Sequence, residues 1–107
     1  MSVNTGLAVV TGAGSGIGRA SALRLASDGF AVAVVDLDVS SAEETADSIT
    51  RAGGRARGYR ADVSKAADID AAMSAAVRDL GPLEVMFNNA GVLDGYFNVD
   101  DMDEAVW

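Results

Sequence analysis

A cluster of glycines set between an unbroken apolar run and a helical pattern constrains this chain more than any other feature. Thr11-Gly12-Ala13-Gly14-Ser15-Gly16-Ile17-Gly18 carries four glycines in seven residues. The preceding Leu7–Thr11 (Leu-Ala-Val-Val-Thr) is continuously apolar up to its last residue and does not alternate. A run of that kind reads as a strand buried on both faces, as in a parallel sheet. Residues 17–27 read as a helix that stops before Gly29, a natural residue to close it. Glycine admits positive φ and lets a ligand approach the main chain. A glycine loop opening onto a helix N-terminus presents free N–H groups and the positive end of the helix dipole, both suited to phosphate. Arg19 is close enough in sequence to assist. Taken alone, the same segment also fits a glycine-rich turn with no ligand.

The pattern of strand followed by helix continues. Residues 30–36 (Phe-Ala-Val-Ala-Val-Val-Asp) and Leu83–Asn88 (Leu-Glu-Val-Met-Phe-Asn) read as further buried strands. Residues 55–61 form a weaker, more polar strand suited to a sheet edge. A second helix is expected from Ser40 to about residue 52, with Ser40 and Glu43 as a capping box and Gly53-Gly54 as its stop. A third spans residues 64–80, where Ile69, Ala72, Met73, Ala76, Val77 and Leu80 make one apolar stripe. Gly81-Pro82 ends it, and a fourth helix is expected to start near Asp101. The order β-α-β-α-β-α-β implies an α/β fold: a doubly wound parallel sheet with right-handed crossovers, in one domain over residues 1–107.

Composition removes several function classes. Lys and Arg number 8 against 16 Asp and Glu, a net charge of −8, which argues against capture of nucleic acid or an anionic membrane. Cysteine and histidine are both absent from the sequence, which excludes disulfides, thiolate or imidazole metal sites and a Ser-His-Asp triad within it. Apolar runs fall far short of the roughly 20 residues of a membrane-spanning helix. The first residues do not resemble a signal peptide, so a cytoplasmic setting is expected. Asp94, Asp100, Asp101, Asp103 and Glu104 fit a solvated loop and a first helical turn better than a cation site. Met73, Met86 and Met102 read as packing residues.

Spacing separates this glycine loop from other phosphate loops. Ile17 stands where G-x-G-x-x-G requires its third glycine, and no Gly-Lys-Ser/Thr follows. The pattern is T-G-x-x-x-G-x-G. Asp36 closes the second strand, 18 residues after Gly18. A carboxylate there can accept from the 2′ and 3′ hydroxyls of an adenosine ribose and repel a 2′-phosphate, or it can simply cap a turn. Ala61-Asp62-Val63 ends the third strand, and Asn88-Asn89-Ala90-Gly91 the fourth. In these motifs, over nearly its whole length, the sequence resembles the short-chain dehydrogenase/reductase (SDR) family.

The resemblance implies an incomplete Rossmann-like sheet of about four strands in the order 3-2-1-4. It implies NAD as cofactor, because Ser15 and Leu37 stand where NADP-using members usually carry a basic residue. It assigns Gly12, Ser15, Gly16, Ile17 and Gly18 to the pyrophosphate loop and Asp36 to the ribose. Asp62 would bind the adenine amino group, Val63 would contact the ring, and Asn89, Ala90 and Gly91 would face the rest of the cofactor while Asn88 braces the sheet. The family's Tyr-x-x-x-Lys is missing: the residues four after Tyr59 and Tyr96 are Val63 and Asp100, and the only lysine is Lys65. The chain is therefore expected to be the cofactor half of an NAD-dependent oxidoreductase, truncated before the catalytic region and inactive alone. Hydride transfer with a small-molecule alcohol or carbonyl would need the other half. An apolar fourth strand left at the sheet edge suggests association with further copies, a homo-oligomer. The alternative is a non-catalytic nucleotide-binding or interaction domain.

Overall fold

A computed structural model describes residues 6–89. Ala90, Gly91, the acidic segment from Asp94 and the expected helix from Asp101 lie outside the described residues. The elements are β1 (Leu7–Thr11), α1 (Gly16–Ser27), β2 (Ala31–Asp36), α2 (Val39–Arg51), β3 (Ala56–Arg60), α3 (Ala66–Leu80) and β4 (Leu83–Asn88). All pairings are parallel and the strand order is β3-β2-β1-β4, the order that the family resemblance implies.

The continuous apolar runs explain why β1 and β2 occupy the middle. Every residue of β1 is buried, as are the first five of β2. Alternate side chains serve opposite layers. Val10, Val32 and Val34 pack with Ala22 of α1 and with Ala42, Ala46 and Ile49 of α2. Leu7, Val9, Ala33 and Val35 pack with Ala72 and Ala76 of α3 on the other face. Alanines at the contacts let the helices lie close to the sheet. Each fully buried Val, Leu or Ile contributes about 1.5–3 kcal/mol.

Several boundaries differ from those read in the sequence. α2 begins at Val39, and its cap is Asp38, not Ser40. The Asp38 carboxylate accepts from the amides of Ser40 and Ser41 at 3.0 and 3.3 Å, so Ser40 is itself one of the capped residues. α3 begins at Ala66, because residues 62–65 form a turn closed by Lys65 N–H on the Asp62 carbonyl at 2.9 Å. β3 is two residues shorter than expected, yet its flanks stay attached to β2. The Arg55 carbonyl accepts from Val32 N–H at 2.9 Å, and Ala61 N–H donates to the Asp36 carbonyl at 3.2 Å. Of the α3 stripe, Ala72 and Ala76 are buried whereas Val77 is 41% exposed.

Among the described residues the sheet has two unlike edges. On β3, Arg57 and Arg60 are exposed, and the Tyr59 hydroxyl donates to Asp79 of α3 at 2.8 Å. Burial, with the Asp79 hydrogen bond second, pushes the Tyr59 hydroxyl up to about 12. On β4, Phe87 packs against one layer and Met86 against the other. A groove of about 410 Å³ runs between β4 and α1, lined by Ile17, Ala20, Leu25, Val85 and Phe87 among others.

Candidate functional site

The C-terminal ends of the parallel strands gather the described candidate cofactor residues. β1 ends at Thr11, and the chain turns back through residues 12–15 into α1. The turn needs glycine at Gly18, where a Cβ would collide with the backbone of Gly12; this contact lets helix and loop pack main chain to main chain. Gly16 needs glycine for another reason. Its φ is +59°, a region that side chains rarely adopt, and a Cβ there would meet nothing within 4 Å. Ser15, Gly16 and Ile17 are exposed. Ser15 caps α1 with its backbone extended and without a side-chain hydrogen bond, and the first turn has no acidic residue. The start of α1 thus keeps its positive dipole end uncompensated by its own side chains.

The loop is anchored from several elements. Ala13 N–H donates to the Val35 carbonyl at 3.1 Å. Gly14 N–H donates to Asp36 Oδ2 at 2.9 Å. Asn89 Nδ2 donates to the Gly12 carbonyl at 3.3 Å, and the Thr45 hydroxyl reaches the Gly14 carbonyl at 3.5 Å. Next to the loop, the Thr11 hydroxyl donates to Asn88 Oδ1 at 2.8 Å, tying the ends of β1 and β4 together. Arg19 is directed elsewhere: its two terminal nitrogens donate to Thr45 and Ser48 of α2 at 3.2 and 3.1 Å. Sequence reasoning passed over Thr45, a fully buried polar residue, because nothing in its local context marks it.

Asp36 is half-buried, and each carboxylate oxygen takes one backbone N–H: Gly14 on Oδ2 and Asp38, at 3.0 Å, on Oδ1. An ionised carboxylate has about four lone-pair positions, so capacity remains for sugar hydroxyls. Asp62 follows β3, whose last residue Arg60 is in register with Asp36. Its Oδ1 accepts from the Ser64 hydroxyl at 2.6 Å and the Ser64 amide at 3.0 Å. The Ser64 hydroxyl, then its amide, holds the Asp62 carboxyl below its ordinary value. Asp38 is lowered likewise, by the Ser41 amide first and the Ser41 hydroxyl second. Val63 is exposed beside Asp62. Glycine loop, Asp36, Asp62 and Asn89 therefore share one end of the sheet. An open Gly16, a helix start without a side-chain cap and a carboxylate with spare acceptor positions leave this end able to take a polar, anionic ligand.

A doubly wound parallel sheet whose first crossover is such a loop defines the Rossmann class of fold. The family model for short chain dehydrogenases matches residues 6–107, and the chain belongs to that family of oxidoreductases. It is 44% identical over 98 residues to 2-(S)-hydroxypropyl-CoM dehydrogenase 3 of Xanthobacter autotrophicus, covering 92% of this chain and 38% of that protein. It is 40% identical over 106 residues to the short-chain dehydrogenase/reductase homolog YusS of Bacillus subtilis, covering 98% of this chain and 96% of that one. The crystal structure of a hydroxysteroid dehydrogenase from Escherichia coli superposes with a TM-score of 0.75 at 32% identity, covering 78% of this chain and 35% of that one. The chain thus spans less than half the length of several relatives, including 41% of a cyclohexanol dehydrogenase of an Acinetobacter species. No helix among the described residues is long and apolar enough to cross a membrane, and no cluster of acidic residues there could hold a metal ion.

Proposed function

We propose that this chain is the NAD-binding part of a short-chain dehydrogenase that moves hydride between the nicotinamide and an alcohol or carbonyl group on a small molecule. The hydrogen bond from Gly14 N–H to Asp36 Oδ2 carries the reading, because it sets the strand-end carboxylate directly against the glycine loop. Amides of Gly12, Ser15, Gly16, Ile17 and Gly18 would hold the diphosphate. Asp36 would accept the ribose hydroxyls and repel a 2′-phosphate, favouring NAD over NADP. The exposed Leu37 after β2 and Ser15 before Gly16 offer no cation to offset that repulsion. Asp62 and Val63 would take the adenine, and Asn89, with Ala90 and Gly91, the nicotinamide side.

The nicotinamide supplies the hydride chemistry when bound, and these residues bind and orient it. Proton transfer to the substrate oxygen falls to residues other than these 107, which contain no Tyr-x-x-x-Lys. The chain alone is therefore expected to turn over no alcohol or ketone. The apolar residues of β4, at the sheet edge among the described residues, support association with further copies, which light scattering at rising concentration would detect. A cytoplasmic setting is part of the same proposal. Calorimetric titration with NAD and NADP tests the cofactor assignment. Saturable NAD binding, at least tenfold tighter than NADP, is the expected result; equal affinities would remove Asp36 from the ribose role, and no binding would remove the site.

A further inference from the structure

The Gly14 peptide is engaged on both sides: its N–H is on Asp36, and its C=O faces the Thr45 hydroxyl. Thr45 is fully buried in α2, and its hydroxyl also accepts from Arg19 Nη1. The other arm of the same guanidinium holds Ser48, one turn further along α2. A planar fork that spans two hydroxyls fixes direction as well as distance, which a lysine cannot reproduce. Arg19 lies in the first turn of α1, directly after Gly18. One side chain therefore connects the helix that starts at the loop, the helix that follows Asp36, and through Thr45 the loop itself.

We propose that Arg19 is a positioning residue for the glycine loop, holding Gly14 through Thr45 so that loop and Asp36 stand in binding register before a ligand arrives. This rests on the reading of the loop as a diphosphate site. It departs from the simpler role for a cation at such a loop, a direct ion pair with phosphate, because the guanidinium donors point into the seam between α1 and α2. The near-isosteric Thr45→Val removes the link and leaves the Arg19 charge in place, so the two roles give opposite results. A positioning residue loses its effect when its partner is removed; a phosphate ligand gains freedom.

Two measurements on the 107-residue chain test this: amide hydrogen exchange without ligand, and NAD affinity by calorimetry at two salt concentrations. Arg19→Met and Thr45→Val are each expected to speed exchange at residues 13–16, with β1 and α3 unchanged, and to weaken NAD by about tenfold. The double variant should be no worse than either single one, as coupled residues require. Thr45→Ser, which keeps the hydroxyl, should restore both properties, and Ser48→Ala should give a smaller loss of the same kind. Unchanged or tighter NAD binding in Thr45→Val, with a weaker and flatter salt dependence in Arg19→Met, would overturn the proposal in favour of direct phosphate contact. Unaltered loop exchange in both single variants would overturn it as well. If the unsubstituted chain bound no NAD, the nucleotide reading would fall, while the exchange data would still decide whether Arg19 orders the loop.

Discussion

Asp36 ends β2 and Asp62 lies two residues past the end of β3, each ahead of the next helix, yet their hydrogen bonds reach very different distances along the chain. Asp36 accepts from Gly14, 22 residues earlier, and so joins the second crossover to the first. Asp62 accepts from Ser64, two residues on, and closes only its own turn. The first carboxylate belongs to the architecture of the loop; the second is a local cap whose bonds from Ser64 both fall on one oxygen, Oδ1, within its own turn. Two carboxylates in successive β-to-α turns can thus differ in kind. In the proposed reading, a ligand at Asp36 would be coupled to the loop's shape, whereas one at Asp62 would perturb a turn that already stands by itself.

Substitution at Asp36 should produce the largest effect. Asp36→Ala leaves the Gly14 amide without its partner, at a cost of about 1–3 kcal/mol in urea unfolding. NAD affinity should fall by more than about tenfold and exchange at residues 13–16 should rise. Asp62→Ala is expected to weaken NAD only a few-fold and to leave loop exchange untouched. The contrast breaks if Asp62→Ala loosens the loop as much as Asp36→Ala does.

Titration sharpens the comparison next. The Asp62 and Asp38 carboxyls are held below their ordinary values, so their contribution is complete above about pH 4 and is lost as pH falls through the depressed values. Thermal melts between pH 6 and pH 2 should show that acid loss. Asp38→Asn and Asp62→Asn should each flatten it, without a change in loop exchange at pH 6. At the alkaline end the sign reverses. Tyr59 is raised to about 12, so its contribution is present below about pH 10 and disappears as pH rises through 12. Ultraviolet titration of the wild-type chain against Tyr59→Phe should place that hydroxyl near 12. The smallest effect belongs to Tyr59→Phe at neutral pH, about 0.5–1 kcal/mol in urea unfolding, because its bond to Asp79 is exposed.

Much of this was legible in the sequence. The unbroken apolar runs mark β1 and β2 as interior strands, and the glycine spacing together with Asp36 marks the end where the site lies. Two kinds of fact were not legible. Caps compete within a few residues: Asp38, Ser40 and Ser41 can all accept a helix-start amide, and the carboxylate wins because one group can reach two donors. Long-range partners leave no local trace. Thr45 lies 26 residues from Arg19, and Asn89 lies 77 from Gly12. In α3 the stripe was correct in period but not in depth, because the alanines sit nearest the sheet while Val77 falls to the flank.

The central place of β1 also governs the order in which the chain can assemble. β1 joins β2 across one crossover, but the Thr11–Asn88 contact with β4 spans 77 positions, with three helices in the intervening chain. Loop-closure entropy makes such distant pairings slow, and parallel pairs supply no hairpin to shorten the search. The β1-β2-β3 half is expected to consolidate early and the fourth strand late, and with it Asn88 and the following Asn89, which hold the end of β1 and the glycine loop. The end of the sheet that carries the glycine loop is accordingly expected to be among the last parts to mature, and in the proposed reading a newly made chain would gain its affinity for cofactor only late in folding.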